Sequence, residues 1–217
     1  MSSPPPEAPH HATPPRASQR GLAAIVLAAG RSSRFVQGHK LTATVDGIPL
    51  VAHALQQVAA GPVDDIVVVV SGEPDGVQAA AGVGRWRFAI NANAAQGLST
   101  SIRTGIAALA PDTPAAMIVL GDMPGVSAQL IAALAETAAS NPGAIVYPVT
   151  PDGSQGHPVI WPRDLFGALA TLEGDKGAKP FLTAHKDRVV TVAWATTEIT
   201  RDIDTREDLA AFLERRD

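Results

Sequence analysis

From Leu22 onward, short unbroken apolar runs alternate with longer segments in which apolar residues recur every three or four positions. A strand that is apolar on both sides must be covered on both faces, and a sheet sandwiched between helices meets that need. The runs Leu22–Leu27, Asp65–Val70, Arg87–Ile90, Ala116–Leu120 and Ala144–Val149 are the predicted strands. Pro49–Ala59, Ser99–Leu109 and Ser127–Ala138 are the predicted helices, with Pro49 near a helix start and Ser99 and Ser127 as N-caps. The pattern therefore predicts an α/β class: a doubly wound, mostly parallel sheet with helices on both faces. Ligands of such sheets gather outside the carboxyl ends of the strands, near the switch in strand order. The loops after Leu27, Ile90 and Leu120 become the places to search.

Residues 1–20 break this pattern. Pro4, Pro5, Pro6, Pro9, Pro14 and Pro15 stand among Ser, Ala and His, with little apolar surface to offset the entropy of ordering. A disordered tail over residues 1–20 and one folded domain over residues 21–217 are expected. No apolar signal-peptide core precedes Gly21, so the expected location is cytoplasmic. The longest apolar stretches fall far short of the roughly 20 residues that cross a bilayer, so no membrane partner is expected.

Charge and cysteine content narrow the chemistry. Seventeen Lys and Arg against 21 Asp and Glu leave a net charge of −4, which gives no basic field for a nucleic-acid backbone. With no Cys, thiolate zinc sites, iron–sulfur clusters and cysteine nucleophiles are excluded. Oxygen ligands remain, and they favour hard cations such as Mg2+.

After the first strand comes Ala28-Ala29-Gly30-Arg31-Ser32-Ser33-Arg34, with Lys40 six residues further on. Small residues let the backbone approach a ligand, and Arg34 and Lys40 supply positive charge, which together suit a phosphate. The spacing fits neither a Walker loop nor a GxGxxG turn. Gly121-Asp122-Met123-Pro124 follows the strand Ala116–Leu120, so Asp122 stands where a carboxylate can meet a divalent cation. A simple turn or cap is its alternative role. Near the C-terminus Thr205 can cap a last helix with Asp208 answering it. Asp202 and Asp204, two apart in an extended segment, point to one side, and either can join Asp122 on a metal. The six His lack the i, i+4 spacing of a zinc helix. Trp86, Trp161 and Trp194 are assigned to the core or its edges.

Six segments in order carry a resemblance: LAAGRSSRF with Lys40, QGLSTSI at Gln96–Ile102, GDMP at Gly121–Pro124, GHPVIW at Gly156–Trp161, GDKGAK at Gly174–Lys179 and DIDTREDL at Asp202–Leu209. Together they resemble the MobA-like nucleotidyltransferases, and within them the molybdenum cofactor cytidylyltransferases. The resemblance implies a Rossmann-like nucleotidyltransferase fold. It also implies an Mg2+-dependent enzyme that moves CMP from CTP to the molybdopterin cofactor and releases pyrophosphate. By the same resemblance, Leu27, Ala28, Ala29, Gly30 and Arg31 lie along the nucleotide, and Arg34 and Lys40 hold its triphosphate. Asp122 and Asp204 match the metal ligands, while Gly97 and Ser101 belong to the loop over base and ribose. His157, Asp175 and Lys176 fall on the pterin side. Lys40, Arg34 and Asp122 are thus the implied catalytic set, and a molybdenum hydroxylase or its accessory protein is an implied recipient.

Three departures bear on the details. Val36 stands where the family usually has Gly, with Gly38 two residues later, and Lys179 stands where Arg is common. GDMP is more typical of guanylyl-transferring relatives, whereas LAAG, GHPV and GDKGA look like cytidylyl-transferring ones. GMP transfer from GTP therefore stays open, as do a non-catalytic cofactor carrier and a redox enzyme acting on a small heterocycle.

Overall fold

The computed structural model describes residues 21–30, 32, 35, 38–72, 76–174 and 178–215. Nine strands and seven α-helices follow in chain order among these residues: β1 Leu22–Ala28, β2 Thr44–Val45, β3 Ile48–Pro49, α1 Leu50–Ala60, β4 Asp65–Ser71, α2 Val77–Ala81, β5 Arg87–Asn91, α3 Leu98–Ala107, β6 Ala115–Leu120, α4 Ala128–Ser140, β7 Ile145–Val149, β8 Val159–Pro162, α5 Phe166–Leu169, α6 Lys179–Ala184, β9 Val189–Ala193 and α7 Arg206–Glu214. The predicted strands and helices all occur, with small shifts at their ends. Ser127 caps α4 by accepting from the Leu130 amide, as predicted. Ser99 does not cap α3: the cap is Gly97, whose φ of 110° suits glycine, and the helix already begins at Leu98.

The main sheet has the order β5-β4-β1-β6-β8-β7-β9. All its pairings are parallel except those of β8, which runs antiparallel to β6 and β7. β1 lies centrally, with Leu27 level with Val69 of β4 and Leu120 of β6. The chain proceeds outward from β1 to β4 and β5, then returns to β6 on the other side of β1. That reversal opens a crevice at the carboxyl ends of β1 and β6.

The period-2 alternation of each strand divides the core into two layers. Ala24, Val26 and Ala28 of β1 join Val68 and Val119 beneath α1, α2 and α4. Ile25 and Leu27 join Val67, Val69 and Ile118 beneath α3, α5 and α6. Each fully buried Val, Ile or Leu contributes about 1.5–3 kcal/mol, so the two layers dominate the stability of the sheet. Trp161 is buried in the second layer, and Trp86 and Trp194 pack at the edge of the first.

A third, smaller cluster does the work of bringing distant segments together. β2 and β3 form a hairpin turned at Asp46 and Gly47, with φ of 53° and 77°, as a tight Asp-Gly hairpin turn requires. Val45 and Leu50 pack with Phe35, Ile203 and Phe212. The loop after β1 is thereby held against the segment that leads into α7.

Candidate active site

Lys40 begins a single 3-10 turn, Lys40–Thr42, immediately after His39. The His39 Nδ1 accepts from the Leu41 amide at 3.3 Å, and its Nε2 lies 2.7 Å from the Gly30 carbonyl. A neutral ring protonated at Nε2 satisfies both bonds at once. The Lys40 amide also donates to Ser32 Oγ at 3.1 Å. These bonds tie the loop to the end of β1 and aim the lysine across the crevice.

Asp122 follows β6 at the same rim. The Gly121 amide donates to the Leu27 carbonyl at 3.0 Å, and the Ile203 amide donates to the Asp122 carbonyl at 3.0 Å. The His157 amide in turn reaches the Ile199 carbonyl at 2.9 Å, so the segment 199–203 is stitched across the ends of β6 and β8. Gly156 permits this approach. A Cβ there would stand 2.6 Å from Ile199 Cδ1 and 3.0 Å from the Ile199 carbonyl. Asp204 is oriented by a capping box: Thr205 Oγ accepts from the Asp208 amide, and Asp208 Oδ2 accepts from the Asp204 and Thr205 amides.

The result is a compact charged cluster. Lys40 Nζ lies 2.5 Å from Asp122 Oδ2 and 2.7 Å from Asp204 Oδ1. Asp122, Asp202 and Asp204 each offer a carboxylate oxygen, and these oxygens lie within 4.8 Å of one another. Burial works against the charge on Lys40, but the charges and hydrogen bonds of Asp122 and Asp204 outweigh it and raise its pKa above the ordinary lysine value. Three oxygen donors at this spacing can hold a hard divalent cation.

Beside the cluster, beneath α3, lies a cavity of about 280 Å3 whose walls include Leu27, Ile118, Trp161, Gln155, His157 and Lys179. Among the described residues, the Nδ1 of His157 is buried with no hydrogen-bond partner. Burial first, then the nearby Lys179, pushes the pKa of His157 below the ordinary histidine value, against an opposing pull from Asp202. A neutral imidazole is the expected form at neutral pH.

The other sequence candidates divide into three groups. Leu27, Ala28 and Ala29 are buried at the end of β1, leaving Gly30 exposed at the rim. Gly97 and Ser101 sit at the start of α3, and Ser101 Oγ accepts from the Asn91 side chain at 3.0 Å. Arg31, Arg34, Asp175 and Lys176 lie outside the described residues. The sequence reading did not single out Asn91, which is 2% exposed. Its Nδ2 also donates to Thr100 Oγ1 at 2.8 Å, and its Oδ1 accepts from the Asn93 amide at 3.0 Å. A polar side chain closing an otherwise apolar strand was its available signal. Of the cavity walls, Gln155 was not singled out by the sequence, whereas Trp161 and Lys179 close the segments GHPVIW and GDKGAK.

The family model for the MobA-like NTP transferase domain matches residues 24–189. The chain belongs to that family. Among solved structures, this MobA-like chain is similar to Rv0371c from Mycobacterium tuberculosis H37Rv, with 24% identity, a TM-score of 0.80, and coverage of 91% of this chain and 100% of the other. A structure of Rv0371C in complex with manganese is similar at 23% identity and a TM-score of 0.72, again covering 91% and 100%. A nucleotidyl transferase from Methanothermobacter thermautotroptrophicus shows 22% identity and a TM-score of 0.76, covering 90% of this chain and 97% of the other. A CMP:2-keto-3-deoxy-manno-octonic acid synthetase complexed with CTP shows 13% identity and a TM-score of 0.71, covering 90% and 98%. At these identities the likenesses establish the shared fold. No curated protein matches the sequence. No helix of the MobA-like domain is long and apolar enough to cross a membrane among the described residues.

Proposed function

We propose that this chain is an Mg2+-dependent cytidylyltransferase that moves CMP from CTP to the molybdopterin cofactor and releases pyrophosphate. The observation that carries the reading is the meeting of Lys40, Asp122 and Asp204 at the carboxyl ends of β1 and β6. Asp122 and Asp204, with Asp202 beside them, would hold the divalent ion, whose charge would offset that of the phosphate oxygens.

A terminal phosphate on the acceptor is already anionic near neutral pH, so the reaction needs no strong base. Its oxygen forms a bond to the α-phosphorus, the bond from α-phosphorus to the bridging oxygen breaks, and pyrophosphate leaves with that electron pair. Positioning and charge neutralisation then supply the catalysis. Lys40, with Arg34, would neutralise charge on the departing pyrophosphate. The backbone of Leu27–Gly30 with Arg31 would line the nucleotide, and Gly97 and Ser101 would border its base and ribose. His157, Asp175 and Lys176 would receive the pterin. The cavity beside the cluster supports this division, since its mostly apolar lining with a few polar groups, among them the neutral His157 imidazole, suits a heteroaromatic ring.

GMP transfer from GTP is the second reading, and the segment Gly121-Asp122-Met123-Pro124 favours it. Incubation with CTP or GTP, Mg2+ and the metal-loaded pterin decides between them by pyrophosphate release. Release with CTP is expected. Release with GTP alone would transfer the assignment to the guanylyl reaction. Pterin binding without release would mark a carrier, and nicotinamide-dependent turnover of a small heterocycle a redox enzyme. A molybdenum hydroxylase or its accessory protein is the proposed recipient of the product, in the cytoplasm.

A further inference from the structure

We infer that Lys40 is a built-in counter-ion that occupies the cation position between Asp122 and Asp204 until a divalent metal arrives with its nucleotide. The inference rests on the metal-site reading above and adds how that site is filled. Nζ lies 2.5 Å from one carboxylate and 2.7 Å from the other, and Asp202 offers a third carboxylate oxygen within 4.8 Å of theirs. Its side chain is 13% exposed, and those of Asp122 and Asp204 are 17% and 21% exposed. The partly buried carboxylates of Asp122 and Asp204 repel each other, and the ammonium relieves that repulsion in the metal-free protein.

The same placement sets the ammonium and a metal ion in competition for the same oxygens. An ion at an ordinary metal–oxygen distance of about 2.1 Å from the same oxygens would stand within about 5 Å of Nζ. Two cations so close, screened only in part by solvent, repel each other. That repulsion favours release of Lys40 from its carboxylates as the ion enters, and another anion can receive it. The triphosphate offers one. The backbone of Lys40 is fastened through Ser32 Oγ and the 3-10 turn, and its four-carbon side chain is held at the tip by the two ion pairs, so breaking those pairs frees the arm to swing. Metal alone is then bound weakly, and metal with nucleotide is bound cooperatively, because the nucleotide accepts the displaced lysine.

The test measures Mn2+ binding to the full chain by the electron paramagnetic resonance of free Mn2+, with and without a non-hydrolysable CTP analogue. Lys40→Met should bind Mn2+ alone at least about tenfold more tightly than the native protein, since its competitor is gone. Lys40→Arg, which keeps the charge, should not tighten binding. The analogue should tighten Mn2+ binding in the native protein and much less in Lys40→Met. The thermal midpoint gained on adding Mn2+ should be larger in Lys40→Met than in the native chain, a readout that survives if the variant is less stable without metal. Equal or weaker Mn2+ binding by Lys40→Met overturns the exchange. Asp122→Asn separates the two readings: if it binds Mn2+ as well as the native chain, the metal site itself is wrong; if it loses Mn2+ while Lys40→Met gains nothing, only the exchange is wrong.

Discussion

The two sides of the crevice are built on opposite principles. On one side Lys40, Asp122 and Asp204 neutralise one another through short ion pairs at the rim. On the other, the cavity under α3 is walled mostly by aliphatic groups and Trp161, with Gln155, Lys179 and a His157 nitrogen that has no partner among the described residues. Charge at a solvated rim suits groups that every nucleotide shares, namely phosphates and the ion that accompanies them. A mostly apolar wall with few polar groups discriminates by shape and by single hydrogen bonds. On the proposed reading, the loops after β1 and β6 would set the reaction type and the partners of β8 the choice of acceptor.

The sharpest way to break that division is at Asp122. Asp122→Ala should lower turnover by about 100-fold or more, measured as pyrophosphate release, while the melting midpoint changes little because no core volume is removed. Near-native turnover would show that the charged side is not the reacting side. Next comes Gly105, where a Cβ would stand 2.3 Å from Ile25 Cγ2 and 3.2 Å from Val69 Cγ2. Gly105→Val should destabilise the protein by about 1–3 kcal/mol in urea unfolding, because it lifts α3 from the sheet. Leu98 and Ile102 of that helix line the cavity, so acceptor affinity should fall while Mn2+ affinity holds. If both fall together, the two sides are coupled rather than separate.

A smaller effect is expected at the other border of the cluster. Thr205→Ala removes the α7 cap and should cost about 1 kcal/mol. Because the same capping box orients Asp204, Mn2+ affinity should weaken with acceptor affinity unchanged, as read by titration of each. The smallest effect concerns His157. Its folded pKa is lowered by burial, so as pH falls below about 6.5 the unfolded chain takes up a proton before the folded one does. Stability should therefore decline with acidification through that window, and His157→Gln should flatten the decline. An identical slope in the variant would mean that another group causes it.

Legibility differs between these regions for physical reasons. β1, β4 and β6 stand out as apolar runs because both their faces are buried. β8 escaped notice because it has four residues and ends in Pro162, and β9 because it is a half-exposed edge strand. The hairpin of β2 and β3 has two residues per strand, too few for any period. Within the site, Asp122 was visible because it follows an apolar run, and Thr205 with Asp208 because a capping box is local. The Asn91 bonds to Thr100 and Ser101 were hidden, since nothing in the order of residues says which polar groups share a buried pocket.

The sequence by itself determined the layered α/β architecture and the kinds of groups at the rim, because burial period, turn chemistry and capping act over a few neighbouring residues. Only the tertiary structure decided that Lys40 meets Asp204 across 164 positions and that an apolar cavity opens beside them. Those arrangements depend on how the strands are ordered and how the small cluster of Phe35, Val45, Leu50, Ile203 and Phe212 packs. Packing between distant segments is a property of the assembled chain, and no local pattern encodes it alone.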